Sequence, residues 1–412
     1  MTRVRWAGTA CAAMTTLAVA HAAPITFDAA LKRAEDTAPA LLARSADVRA
    51  ARSAAIAAGR LPDPKLTFGV DGFPISGPNF GHPERDDFSD VRIGVMQDVT
   101  SGAKRRAARE RATADIGAAE VGRSAQARAV RLATALAWID LYYAQRRLAA
   151  LDEVARALET LRRAAPAQMA SGALRPAQTV EPEQMIAALG DRRADLVAAM
   201  ARARSALVRW TGDADVAILG VPDDYAVDPV ALRAGIDALP TLTAFDAMAR
   251  QADAEVDGAR ADKRPDWSWE LAYQHRAPRF GDMVMVQATV SLPLFGSTRQ
   301  DPVIAARALS AGRVRIEREA ARRELLAGLE SDLADHFMHH DRLDRAMNAL
   351  VPLARKRVAL ETASYAAGTA TLTDALSAYA GLAQALTDTL DRQADVARDA
   401  ARLVLTYGVD AQ

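Results

Sequence analysis

The chain has 412 residues, with 52 basic and 52 acidic side chains and therefore a formal net charge of zero. Neutrality offers no electrostatic footprint for a nucleic acid. Residues that are 50% hydrophobic, 25% charged and only 5% aromatic match long helices that pack closely on one another.

The N-terminus reads as a secretory leader over residues 1–22. Arg3 and Arg5 form a basic start, Trp6 to Val19 is mostly small and apolar, and Ala20-His21-Ala22 is a cleavage site. This stretch is too short to span a membrane. Cys11 is the only cysteine, and Gly8-Thr9-Ala10-Cys11 lacks the leucine of a lipoprotein box. A mature chain without cysteine has neither disulfides nor thiol chemistry.

Two copies of one strand–strand–helix unit follow, offset by roughly 195 residues, far beyond a solenoid period. The first copy, residues 23–220, is expected to place strands at 64–73 and 89–99 and helices at 103–165 and 174–210. Leu66, Phe68 and Val70 alternate with Thr67, Gly69 and Asp71, while Val91, Ile93 and Val95 oppose Arg92, Gly94 and Met96. The helix after Gly102 carries Leu132, Leu136, Ile139 and Tyr143 at three-and-four spacing and reverses near Pro166 and Gly172.

The second copy, residues 221–412, repeats the plan. A helix near 231–263 leads to strands at 266–275 and 283–293, then to helices at 300–365 and 371–407. Trp267, Trp269, Leu271 and Tyr273 alternate with Ser268, Glu270 and Ala272, and Val284, Val286, Ala288 and Val290 share a side. Period two with an apolar face over about 9–11 residues fits a tilted membrane strand. Four strands cannot close a barrel, because about eight is the smallest number that does. Open edges in lipid leave backbone groups unsatisfied. The fold class expected is therefore mostly α with a four-stranded β contribution that pools strands between copies of the chain. A trimer closes the ring with twelve strands, and a dimer with eight also satisfies closure.

The residues resemble the TolC family of outer-membrane efflux ducts over essentially the whole mature chain. The matching segments are Asp63-Pro64-Lys65-Leu66-Thr67-Phe68-Gly69, Val91-Arg92-Ile93-Gly94-Val95-Met96-Gln97, Ser291-Leu292-Pro293-Leu294-Phe295-Gly296 and Tyr365-Ala366-Ala367-Gly368-Thr369-Ala370-Thr371-Leu372-Thr373-Asp374. The first two most resemble the heavy-metal branch. The resemblance implies a homotrimer with a twelve-stranded barrel in outer-membrane lipid, continued by a periplasmic helical tunnel. That tunnel would meet a periplasmic adaptor protein and an inner-membrane RND-type pump. The duct would have no cofactor and no chemistry of its own. Adaptor contacts would fall at the hairpin tips, around Gly172 in one copy and Tyr365, Gly368 and Thr369 in the other. Asp374 matches an acidic residue at the periplasmic aperture. Ser377 stands where a second acid is expected, Gln178 is the first-copy equivalent of Asp374, and Ala370 replaces a basic gate partner. A ring of Asp374 side chains would favour cations. The cargo expected is heavy-metal cations; drug export or type I protein secretion is the alternative, and a periplasmic coiled-coil scaffold the competing class.

His336, His339 and His340 share a helical face and could ligate metal, but a wetted polar stretch is the plainer reading. The acidic loop from Gly72 to Asp90 is expected outside the membrane. Lys104, Arg105, Arg106, Arg109 and Arg111 open a long helix where positive charge opposes the helix dipole, so lipid phosphate and plain solvation are both open. No G-x-S-x-G, H-E-x-x-H, Walker or G-x-G-x-x-G pattern is present, so no enzyme is expected.

Overall fold

A computed structural model describes residues 24–170 and 180–409. The expected leader, residues 1–22, and Gly172 and Gln178 lie outside these residues.

The described residues begin with a helical pair, to which the sequence pattern assigns no element. Helix α1, Phe27–Thr37, starts at Thr26, whose hydroxyl accepts from Ala29 N at 3.4 Å; helix α2, Pro39–Ala57, has proline in its first turn. Leu31, Ala34, Leu41 and Val48 bury one stripe of the pair. The signal was there: a threonine cap, an N-terminal proline, and apolar residues at helical spacing.

Strands β1 (Lys65–Asp71), β2 (Asp90–Val99), β3 (Asp266–Arg276) and β4 (Met283–Ser291) form one antiparallel sheet in the order β1-β2-β3-β4. β1 stops short of the 64–73 expected. Gly72 takes φ 68°, and a Cβ there would lie 2.2 Å from the Phe88 carbonyl oxygen. Only glycine makes that exit from the strand.

Below the sheet each strand meets a helix. Helix α3, Gly102–Ala170, has 69 residues and a length of about 100 Å. It continues four residues past the break expected at Pro166, so that proline does not end the helix. Helix α4 spans Val180–Thr211, α5 Pro229–Gly235 and α6 Pro240–Ala261. Helices α2, α3, α6 and α7 (Gln300–Arg345) lie side by side in the order of the strands they join. Arg111 and Arg307 both reach Glu255, at 3.2 and 2.7 Å; Arg315 pairs with Asp253 and Arg318 with Asp246, each at 2.7 Å. The many arginines and acids thus stitch helix to helix, though each exposed pair contributes little by itself.

The second long helix, expected at 300–365, is helical throughout from Gln300 to Ala366 but carries a π turn. After α7 the chain makes a π-helical turn over Ala346–Leu350, and α8 runs Val351–Ala366. Pro352 is the cause. It cannot donate to the preceding turn and its ring crowds that carbonyl. The helix widens, so Val351 N donates to the Ala346 oxygen five residues back. Helix α9, Leu372–Tyr407, returns along the body.

The core is strung along the helices. One cluster joins Phe27, Leu31, Trp138, Ile139, Leu141, Leu207 and Val216; a second joins Leu239, Leu242, Leu329, Leu333, Leu403 and Tyr407. A third, toward the distal end, contains Leu151, Val154, Leu158, Leu189, Leu372 and Leu376. No helix among the described residues is long and apolar enough to cross a membrane.

Candidate functional site

Backbone register decides what the sheet can do. The rows Leu66–Val95–Leu271–Val286 and Phe68–Ile93–Tyr273–Val284 cross all four strands on one face. Trp267 and Trp269 extend that face with rings stacked 6.3 Å apart. Phe68 is 84% exposed and Val286 68%. A contiguous apolar face of this kind marks contact with lipid or another protein, since a soluble sheet buries it. The other face carries Lys65, Arg92, Glu270, Gln274, Gln287 and Thr67 by the same register. Thr67 donates to Glu270 Oε1 at 2.7 Å. At its centre Gly94 sits against Ala272, and a Cβ on Gly94 would approach that methyl to 2.7 Å. One sheet therefore has one greasy face, one polar face, and two edges, β1 and β4, with no strand partner among the described residues.

The other end of interest is the α8–α9 tip, which brings together most of the second-copy residues singled out in the sequence. Gly368 takes φ 74° and its N–H donates to the Tyr365 oxygen at 3.0 Å; Thr369 N donates to the Ser364 oxygen at 2.9 Å. This is a left-handed glycine stop. Tyr365 packs on the distal cluster with Leu372 and Leu376. Thr371 caps α9, and Asp374 closes a capping box. Its Oδ2 accepts from Thr371 N at 2.9 Å and Thr371 Oγ1 at 2.6 Å, while Asp374 N donates to Thr371 Oγ1 at 3.2 Å. Those hydrogen bonds, the threonine hydroxyl foremost, hold the Asp374 carboxyl below the usual range. The group is therefore a fixed, ionised charge. Asp374 and Ser377 lie three residues apart on the exposed face of α9.

The three histidines do not converge. His339 Nδ1 lies 2.6 Å from Asp399 Oδ2 on α9, whereas His340 lies 3.6 Å from Asp344 on its own helix. His336 is 8% exposed, with Nδ1 buried and lacking a hydrogen-bond partner. Among the described residues no group of three or more His, Cys, Asp or Glu is placed to hold a metal ion. Three-and-four spacing put them near one another, and packing then turned His339 to Asp399 and His340 to Asp344 while burying His336. The sequence reading also missed a structural network beside them. Arg398 bridges Asp140 of α3 at 2.6 Å and Asp395 at 2.5 Å, and Tyr407 donates to Asp332 at 2.9 Å. Burial pushes the Tyr407 hydroxyl up to about 12.

Burial holds the His336 pKa below its ordinary 6.5. The folded protein resists this proton while the unfolded chain accepts it below about pH 6.5. Stability from a neutral His336 is thus present above that pH and lost as pH falls toward the folded value. Comparing melting temperatures at pH 7.5 and 5, His336→Leu is expected to lose less on acidification than wild type; an equal loss would show that His336 does not set the acid response.

These features define an open, one-sidedly apolar sheet on a long helical body, which is the TolC-type outer-membrane channel fold. The solved structure of CusC, described in terms of transmembrane channel formation, superposes with a TM-score of 0.78 at 14% identity over 93% of this chain and 92% of that one. VceC, an outer-membrane protein of Vibrio cholerae, gives 0.76 at 16% identity over 94% and 97%. The Campylobacter jejuni CmeC outer-membrane channel gives 0.75 at 13% identity over 93% and 85%. No family model matches the chain, and no curated protein matches it in sequence.

Proposed function

We propose that the chain is one third of a passive outer-membrane efflux duct, a homotrimer whose pooled strands close a barrel and whose helices continue it into the periplasm. The observation that carries this is the open sheet, apolar on one face and hydrogen-bonded to nothing at either edge among the described residues. In lipid such edges are satisfied only by closure. Three copies of four strands are a barrel of twelve, and cyclic symmetry makes all three joints alike. The free energy for transport comes from an inner-membrane pump of the RND type, reached through a periplasmic adaptor at the tips around Gly172, Tyr365, Gly368 and Thr369. Residues 1–22 act as the export leader.

Heavy-metal cations are the proposed cargo. The polar face of the sheet presents Met96, Met283 and Met285 beside Glu270 and Gln274. Thioethers and neutral amides are weak ligands for soft cations, and conduction requires weak sites. At the distal end, three capped Asp374 carboxylates would form the aperture ring, with Ser377 one turn further and Gln178 as the first-copy equivalent of Asp374. In planar bilayers, Asp374→Asn is expected to reduce cation preference, read as a reversal potential moved toward zero, while Ser377→Ala leaves it in place. An unmoved potential in Asp374→Asn would remove that residue from the constriction. Deleting the gene and exposing cells to metals and to drugs tests the cargo. Sensitivity to drugs alone would favour the multidrug reading, and loss of a secreted protein the type I reading.

A further inference from the structure

We propose that the helix-side rim of the sheet is a collar of arginines that binds the phosphate headgroups of anionic phospholipids. This rests on the membrane-spanning reading of the sheet. At this rim Asp98, Asp262, Asp266 and Asp301 are already neutralised by lysines. Lys65 lies 2.7 Å from Asp98, Lys104 lies 2.5 Å from Asp266 and 3.4 Å from Asp262, and Lys263 pairs with Asp301. The arginines are left over. Arg60 stands where α2 leads to β1, Arg105, Arg106 and Arg109 where β2 becomes α3, Arg264 where α6 leads to β3, and Arg299 where β4 leads to α7. None of these six makes an ion pair with another described residue. Arg105 Nε is buried without a hydrogen-bond partner. Farther down the same helices the pattern reverses, and Arg111, Arg307, Arg315 and Arg318 each hold a carboxylate.

Position and direction fit a lipid surface. Asp266 shares the polar face of β3 with Glu270 and Gln274 by alternation, so Lys104, its partner, lies on that side. Arg106 is two residues on, about 200° around the helix, and Arg109 about 140°. Both therefore turn toward the side of the apolar rows. The Gly59 turn brings Arg60 to the same place, since a Cβ on Gly59 would lie 2.4 Å from the Arg105 carbonyl oxygen and 2.9 Å from Arg109 Cγ. The apolar band also ends here. The stacked Trp267 and Trp269 begin β3, and Leu292, Leu294 and Phe295, exposed by 62, 75 and 66%, precede Arg299. Aromatic and apolar side chains at a sheet end, with cations just beyond, mark the headgroup level of a bilayer. A guanidinium fork suits phosphate. These arginines are spread along a rim and do not converge on one point, which suits a row of headgroups and not a free phosphate ion. Arg105, Arg106 and Arg109, at the start of α3, help neither the helix dipole nor an ion pair and gain a partner in an anionic surface. Each such charge strengthens attachment roughly fivefold.

The test uses the full-length protein, delipidated in neutral detergent, and native mass spectrometry with added phosphatidylglycerol, cardiolipin or phosphatidylcholine. Wild type is expected to retain the two anionic lipids over phosphatidylcholine by tenfold or more. Arg106→Gln/Arg109→Gln/Arg299→Gln should lose most of that preference, and Arg192→Gln/Arg202→Gln, at exposed arginines of α4, should keep it. Equal retention of all three lipids by wild type, or an unchanged preference in the triple variant, overturns the collar. So does full displacement of the lipid by millimolar inorganic phosphate, which would mark a free-anion site. Flotation with phosphatidylcholine vesicles separates the two readings: floating without anionic preference sinks the collar alone, whereas failure to float sinks the membrane reading beneath it.

Discussion

Leu271→Arg is expected to abolish recovery of the protein as an assembled outer-membrane oligomer, while Gln287→Arg leaves assembly intact. Leu271 lies mid-strand in β3, in the row Leu66–Val95–Leu271–Val286, with 57% of its surface exposed in the single chain. Gln287 pairs with Glu270 on the opposite face. An arginine near the bilayer midplane costs about 2–4 kcal/mol on the lipid face of a barrel, and a lumen position carries no such penalty. Threefold assembly repeats the cost in every subunit, bringing the total to the scale of a whole domain's stability. The measurement is the yield of heat-modifiable oligomer in outer-membrane fractions, which needs no assumption about cargo. Equal yields from the two variants would mean that the apolar rows do not face lipid, and the channel reading would go with them.

Trp138→Ala is expected to destabilise the helical body by about 3–5 kcal/mol, the range for truncating a buried aromatic side chain. Trp138 has no exposed surface. Its ring meets Phe27 edge-on at 5.4 Å and stacks on Tyr142 at 5.6 Å, and its indole N–H reaches the Ile25 oxygen at 3.5 Å. Ile25 in turn pairs with the 217–219 segment through two backbone hydrogen bonds, Ile25 N to Ala217 O at 2.7 Å and Leu219 N to Ile25 O at 3.0 Å. One side chain thus ties the N-terminal helix pair, α3 and the connector after α4 together. Trp210 is the internal comparison: it is only partly buried, with Arg209 4.9 Å above its ring, so Trp210→Ala should cost clearly less. Denaturant unfolding in detergent micelles, followed by far-UV circular dichroism, reads both. Equal midpoints for the two variants would show that the cluster around Trp138 is not where the body is held.

The elements most legible in the sequence were those whose signal is local. Alternation is a property of adjacent residues, so β2 and β3 could be read from Val91–Ile93–Val95 and Trp267–Trp269–Leu271 alone. The long helices announce themselves by spacing and by the absence of proline. Where proline does occur it ends neither helix: Pro166, four residues before the end of α3, leaves it helical, while Pro352 opens a π turn in mid-course. Helices α1 and α2 were less visible, because α2 carries a weak apolar stripe and owes its place to packing on α3. The histidines show the limit from the other side. Spacing puts His336, His339 and His340 within reach of one another, but their partners Asp399 and Asp344 were chosen by the approach of α9 and by a local turn.

The sequence by itself determined the duplication, the two-faced strands, the helical body and the shortage of strands for a closed ring, since each follows from periodicity, composition or counting. Only the tertiary structure decided that all four strands share one sheet in the order β1-β2-β3-β4, with every apolar row on a single face. That choice is set by which backbones hydrogen-bond between β2 and β3, which are far apart in the chain, and a one-residue slip would have turned an apolar row into a polar one. It was likewise tertiary structure that gave Asp374 its capping hydrogen bonds and left the rim arginines without carboxylates. Charge balance along a chain does not say which charges meet.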